Sequence, residues 1–347
     1  VTPSESLKGQ WADKAAEAHM SLDPRWASDQ FRSEAKDMIG IVATYQQVAT
    51  NPHAFRAHLR RRTLVILDEI HHAGDGAGWG DSLHIAFDPA TRRLALSGTP
   101  WRNRNQTIPW VNYENGSSQS DFSYGYADGL ADGVCRPVLF PSFEGEMKWQ
   151  RNGTARSATF ADDLADDESS RRLRTALDPG GDWLPDVLTR ADRQLNEIRS
   201  NGHRIAGGLV LAMDQMHARA IAKLMRNVTG YEPQVVVSED PDAKVKIDRF
   251  RNGDAPWIVA VRMISEGVDI KRLRVLVYAT NILSELFFRQ ALGRIVRTID
   301  KLEEQSAYCF IPADQTLVDF AERVKEERAH GIEIEINRST KELNGQT

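Results

Sequence analysis

Leu64-Val65-Ile66-Leu67-Asp68-Glu69-Ile70-His71-His72 decides how the rest of the chain is read: four apolar residues, two carboxylates and, one residue on, two histidines. An apolar run of that length is too short for an amphipathic helix and predicts a strand buried on both faces, as in parallel sheets. In open sheets of this kind ligands gather beyond the carboxyl ends of the strands, which is where Asp68 and Glu69 fall. One carboxylate there can hold Mg2+ through its waters while its neighbour orients an attacking water, the machinery of phosphoanhydride hydrolysis. Two capping carboxylates and two surface histidines account for the same residues equally well.

Similar runs recur to either side. Residues 41–43 and 94–96 precede Gly98, and residues 209–211, 235–237, 258–261, 275–278 and 308–311 follow Gly207. Amphipathic stretches over 214–227, 242–250 and 284–297 have the length a βαβ crossover needs. The class is α/β. Between the two groups lie Asn115-Gly116-Ser117-Ser118, the acidic residues Asp162, Asp163, Asp166, Asp167 and Glu168, and Pro179-Gly180-Gly181, which read as connector. Helical spacing over 184–198 leads into the second group, and the charged stretch 321–343 reads as a solvated helix.

At 347 residues the chain exceeds one ordinary domain of about 150 residues, so two are expected. Its apolar runs stop at five residues, far short of the roughly 20 that cross a bilayer, so no membrane is expected. The opening Val-Thr-Pro-Ser-Glu-Ser-Leu-Lys has neither part of a signal peptide, which makes the cytoplasm the expected location. Cys135 and Cys309 form no CxxC pair and support neither a disulfide framework nor a cysteine zinc site. A net charge of −5 announces no nucleic-acid partner by itself, so such a partner would meet local patches such as residues 56–62 or Lys271, Arg272 and Arg274.

Two further segments carry candidate chemistry. Ser97-Gly98-Thr99-Pro100 follows the 94–96 run and is, alone, an ordinary turn. In Gln290-Ala291-Leu292-Gly293-Arg294-Ile295-Val296-Arg297, helical spacing would put Gln290, Arg294 and Arg297 on one face, where two guanidiniums suit a polyphosphate. In this order and spacing the three segments resemble motifs II, III and VI of the superfamily two helicases and translocases, most closely the DExH-type branch of phage and bacterial DNA helicases and restriction-type motors. Val1-Thr2-Pro3 with Leu7, Gln10 and Trp11 resembles motif Ia, Ala43-Thr44-Tyr45-Gln46-Gln47 the Thr-Tyr-Gln segment that follows it, and Ser265-Glu266-Gly267-Val268-Asp269 motif V.

The resemblance implies two RecA-like parallel-sheet domains in tandem, of the P-loop NTPase type: a helicase ATP-binding domain over 1–115, a connector or insert over 116–200, and a helicase carboxy-terminal domain over 201–347. It implies ATP and Mg2+ as cofactors and a nucleic-acid partner, with DNA favoured. Asp68 would bind Mg2+, Glu69 would activate the hydrolytic water, and His71 would link that site to motif VI, which begins at Gln290. Ser97 and Thr99 would couple hydrolysis to domain movement, Gly267 and Asp269 would sense nucleotide, and Arg294 and Arg297 would reach the γ-phosphate as arginine fingers. Pro3, Thr44, Tyr45, Gln46 and Ser265 would contact phosphates of the nucleic acid, with little sequence preference. A nuclease or other subunit could be joined to such a motor.

The departure from the family is at the front. No Gly-Lys dipeptide occurs, so the GxxxxGK[ST] loop that cradles phosphates is missing and the first domain reads as truncated at its amino end. The expectation is a fragment of a longer motor that hydrolyses ATP poorly on its own. Two other readings compete: a non-catalytic DNA-binding module with a helicase-like shell, and a metal-dependent hydrolase built on Asp68, Glu69, His71, His72 and His84.

Overall fold

The computed structural model of the chain describes residues 1–26, 37–59, 62–74, 79–98, 108–114, 117–151, 154–237, 239–261, 270–299 and 305–344. They form two compact units, Val1–Ser123 and Tyr124–Thr347.

In the first unit the order is α1 (Glu5–Glu17), β1 (Leu22–Asp23), β2 (Gly40–Ile41), α2 (Tyr45–Thr50), α3 (Pro52–His58), β3 (Leu64–Leu67), a 3-10 turn (Ile70–Gly74), α4 (Trp79–Phe87), β4 (Arg92–Ala95), β5 (Asn112–Glu114) and β6 (Ser117–Gln119). β1 pairs with β2 and β3 with β4, both in parallel. Thr2 makes a parallel bridge to Thr44, and the Asp68 N–H donates to the Val1 carbonyl, so the first two residues lie between the end of β2 and β3. Leu67, Ile70, Val48, Leu83 and Ala86 form the core on which α2 and α4 pack. All four residues of β4 are exposed, Arg92 and Arg93 as well as Leu94 and Ala95, as is Leu64 at the start of β3; Leu64 and Leu94 are apolar side chains of the kind a parallel sheet ordinarily covers.

The second unit opens with α5 (Tyr126–Ala131), β7 (Val138–Leu139), β8 (Ser142–Phe143), β9 (Met147–Arg151), β10 (Thr154–Ala158), α6 (Asp166–Ala176) and α7 (Trp183–Ser200). It continues with β11 (Gly207–Ala212), α8 (Gln215–Thr229), β12 (Gln234–Val236), α9 (Ala243–Asn252), β13 (Trp257–Ala260), β14 (Leu273–Ala279), α10 (Glu285–Leu292), β15 (Ala307–Pro312) and α11 (Gln315–Asn344). Seven strands make one parallel sheet in the order β12-β13-β11-β14-β15-β7, with β8 also on β15. Its central strands are buried along their whole length, which is why they read as unbroken apolar runs. Helices cover both faces: Phe250, Phe288 and Leu317 are in the core on one side, Leu184, Leu195 and Ile221 in that on the other.

Residues 124–200, read as connector, belong to the second unit and supply two strands to its sheet. Those strands are only two residues each and are separated by Pro141, with Pro137 before them, so their pattern reads as breakers. The last helix is not solvated throughout: Leu317, Phe320, Ala321 and Val324 are buried against the sheet.

Candidate functional site

Motif II is shaped by where β3 ends. Leu67 is fully buried, and at Asp68 the chain turns out of the sheet. Glu69 then takes φ 50°, the left-handed region that a non-glycine residue rarely occupies and that costs of order 1–2 kcal/mol. The turn is held by the Ile70 N–H donating to the Leu96 carbonyl (3.0 Å) and the His72 N–H donating to the Glu69 carbonyl (3.0 Å). Such strain persists where surrounding contacts over-determine it, and here they fix the Glu69 carboxylate beyond the strand end, about one-third exposed.

The neighbours of this turn come from three other parts of the unit. The Trp11 indole N–H, on α1, donates to Asp68 Oδ2 at 2.7 Å, and the Tyr45 hydroxyl donates to the Asp68 carbonyl at 2.8 Å. His71 is buried, with Nδ1 at 2.9 Å from Ser97 Oγ and 3.3 Å from Glu69 Oε2. Thus Glu69, His71 and Ser97 meet at His71 Nδ1 beyond the ends of β3 and β4, while Asp68, next in sequence to Glu69, is held separately by Trp11 and Tyr45. Thr99 lies outside the described residues.

The donor set suits a hydrated hard cation: Asp68 presents carboxylate oxygen at a strand end, its side chain oriented by the Trp11 indole, with a second carboxylate next to it. Among the described residues no three histidine, cysteine, aspartate or glutamate side chains converge on a metal position. His84 instead pairs with Asp88 at 3.0 Å on the surface of α4.

The Thr-Tyr-Gln segment is built differently from its expected role. Thr44 is the N-cap of α2, with Gln47 completing a capping box, and is buried. Tyr45 is 1% exposed, and burial with the nearby Asp68 and Glu69 charges pushes its phenol pKa well up. These two side chains therefore hold the loop rather than face a nucleic acid; Gln46 is exposed and Pro3 half-buried.

In the second unit the motif VI segment departs from a single helix. α10 stops at Leu292. Gly293 and then β-branched Ile295 and Val296 weaken the helix, and the Arg294 and Ile295 N–H groups close tight turns onto the Ala291 and Leu292 carbonyls. Arg297 is already extended, bridging antiparallel to Cys135. Gln290, Arg294 and Arg297 therefore do not share one helical face; Arg297 is exposed and the other two half-buried. Ser265, Gly267 and Asp269 of motif V lie outside the described residues.

Two features escaped the sequence reading. Trp11 entered it only as part of a motif, yet its indole holds Asp68. Arg289, next to Gln290, grips Glu327 of α11 through two nitrogens (2.7 and 3.2 Å) and Glu285 at 3.0 Å, fastening the start of motif VI to the last helix. The Glu285–Arg289 spacing of four was the available signal. Conversely, Arg272 and Arg274, offered as surface cations, are buried: Arg272 donates to the carbonyls of Phe250, Ile205 and Ala255, and Arg274 to that of Ser306.

No family model matches the chain. It is 44% identical over 337 residues to an uncharacterized protein of Mycobacterium tuberculosis, covering 95% of this chain and 55% of the relative. The chain spans about half the length of the curated relatives it matches. Among solved structures it resembles a fragment assigned as an HsdR subunit of a type I restriction enzyme from Vibrio vulnificus, with TM-score 0.56 and 19% identity over 84% of this chain and 50% of that one. It also resembles S. cerevisiae Dbp5 bound to RNA and ADP BeF3, with TM-score 0.52 and 14% identity over 95% of this chain and 74% of that one. At these identities the likeness is one of fold, and with the parallel-sheet units it gives one conclusion: the chain has the α/β fold of RecA-like parallel-sheet domains in tandem.

Proposed function

We propose that the chain is the motor part of an ATP-driven nucleic-acid helicase or translocase, acting on DNA. The observation that carries this reading is the motif II turn, where a strained Glu69 places its carboxylate beside Asp68 and against His71, which in turn meets Ser97. Bound Mg2+-ATP would supply the phosphoanhydride whose cleavage drives movement. Asp68, oriented by Trp11, would hold the hydrated cation, Glu69 would orient the attacking water and accept its proton, and the His71–Ser97 hydrogen bond would report the state of the site to the loop after β4. Arg294 and Arg297 would add transition-state charge from the second unit, with Gly267 and Asp269 sensing nucleotide.

The test is steady-state ATP hydrolysis with and without single- and double-stranded DNA, on the 347 residues and on a longer chain that supplies a phosphate-binding loop. DNA-stimulated turnover by the longer chain, lost in Glu69→Gln, is the expected result, with little turnover by the 347 residues. Absence of turnover from both, with DNA binding indifferent to ATP, would replace this reading with a non-catalytic DNA-binding module.

A further inference from the structure

Helices α10 and α11 meet along a charged seam. Phe288 of α10 and Phe320 of α11 pack in the core with ring centroids 5.6 Å apart, and four charged side chains also join the two helices. Arg289 uses all three guanidinium nitrogens: Nε donates to Glu285 Oε1 at 3.0 Å, Nη1 to Glu327 Oε2 at 3.2 Å and Nη2 to Glu327 Oε1 at 2.7 Å. The other oxygen of Glu285, Oε2, accepts from Arg323 Nη1 at 2.7 Å. Glu285 and Arg289 sit one helical turn apart on α10, as do Arg323 and Glu327 on α11, and they pair in the same order. The result is a two-rung ladder between parallel helices, acid to base on one rung and base to acid on the other.

The side chains of Glu285 and Arg289 are only 14% and 24% exposed, so their charges are screened less than those of a solvent-exposed pair, and the forked grip on Glu327 is the strong geometry for arginine. The charge order also specifies register. A slip of α10 by one turn, about 5.4 Å, would set Glu285 against Glu327 in one direction and Arg289 against Arg323 in the other, like charges both times. Burial of Phe288, Ala291 and Leu292 holds α10 on the sheet, but that attraction is non-directional, whereas the ladder admits one register.

α10 ends at Leu292, and Arg294 follows two residues later. The Arg289 carbonyl accepts the Gly293 N–H at 2.9 Å. One residue is thus tied by its side chain to α11 and by its backbone to the turn from which Arg294 emerges. A group that must meet a phosphoryl oxygen in a transition state tolerates little displacement, since about 1 Å can cost roughly 100-fold in rate.

We propose that Arg289 is a positioning residue for motif VI: the ladder fixes the register of α10 on α11 and with it the place of Arg294. The inference rests on the motor reading, in which Arg294 supplies transition-state charge.

The experiment is steady-state ATP hydrolysis at saturating DNA by the longer chain that supplies a phosphate-binding loop, with thermal melting of each variant. Arg289→Glu should lower kcat about tenfold or more while KM for ATP stays within about twofold of wild type, because a misplaced arginine finger weakens the transition state and not ATP binding. Arg289→Glu/Glu327→Arg rebuilds that rung with its charges exchanged and should recover most of the lost kcat. Glu327→Gln, isosteric and neutral, should move kcat in the same direction by a smaller factor, and it replaces Arg289→Glu as the test if that variant does not fold. Wild-type kcat in the folded variant would overturn the inference and leave the motor reading standing. So would a double variant that recovers the melting midpoint but not kcat, since the ladder would then serve stability alone. Absence of ATP turnover from the wild-type longer chain would overturn the motor reading and this inference together.

Discussion

At the residue scale, the strain at Glu69 separates stability from chemistry. Glycine takes φ 50° without the Cβ clash, so Glu69→Gly should be neutral to about 1 kcal/mol stabilising by thermal melting. In a chain competent for ATP turnover the same change should abolish hydrolysis. A clear loss of stability would show that the Glu69 side chain holds the fold rather than the reaction. His203 makes a second case. It is buried beside Arg274, whose Nη1 lies 3.4 Å from its Nδ1, with Arg136, Arg272 and Arg199 also facing it. Burial first, and those guanidiniums second, push its imidazole down to about 4. The folded value is below the unfolded one, so the neutral ring contributes stability fully above about pH 6.5, and that contribution is lost as pH falls towards 4. His203→Gln should narrow the loss of unfolding free energy between those pH values by up to about 3 kcal/mol, measured by urea denaturation at each pH. An identical pH dependence in both proteins would contradict this. Neither residue was legible as such: Glu69 was read from its place after an apolar run, but its backbone strain was not, and nothing near His203 in sequence tells of guanidiniums that arrive from 136 and 274.

At the element scale, the strands of the second sheet were readable because burial on both faces leaves no polar position to interrupt them. Helices α8 and α9 were readable from their spacing, whereas α10 ended five residues before the expected Arg297 because one glycine and two β-branched residues outweighed the amphipathic pattern. Gly207 and Gly208 at the start of β11 show a requirement that pattern cannot carry. A Cβ on Gly208 would lie 2.2 Å from the Trp257 ring, and one on Gly207 would meet the Arg272 guanidinium at 2.9 Å. Trp257 is fully buried and its indole N–H donates to Asp192 of α7 at 2.8 Å, so it has nowhere to retreat. Gly208→Ala should therefore cost about 1–3 kcal/mol as overpacking, read as a lowered unfolding midpoint. A midpoint equal to wild type would mean that the Trp257 pocket has slack.

At the scale of the whole molecule, the two units have separate cores: Leu67, Val48 and Leu83 anchor one, while Phe250, Leu209, Leu195 and their neighbours anchor the other. Calorimetry should then resolve two transitions, and Gly208→Ala should lower only that of the second unit. A single transition shifted as one would show the units to be energetically fused. Among the described residues no helix is long and apolar enough to cross a membrane. What the sequence by itself determined was the class and the order of the elements: buried parallel strands betray themselves by local composition, and the positions of Asp68, Glu69, Ser97 and Arg294 along the fold are set by the strands or helix they follow. What only the tertiary structure decided was which side chains meet. Trp11 on Asp68, His71 on Ser97, Arg289 on Glu327 and the burial of Tyr45, Arg272 and Arg274 all depend on segments distant along the chain, and local pattern holds no record of contacts that form only when those segments pack.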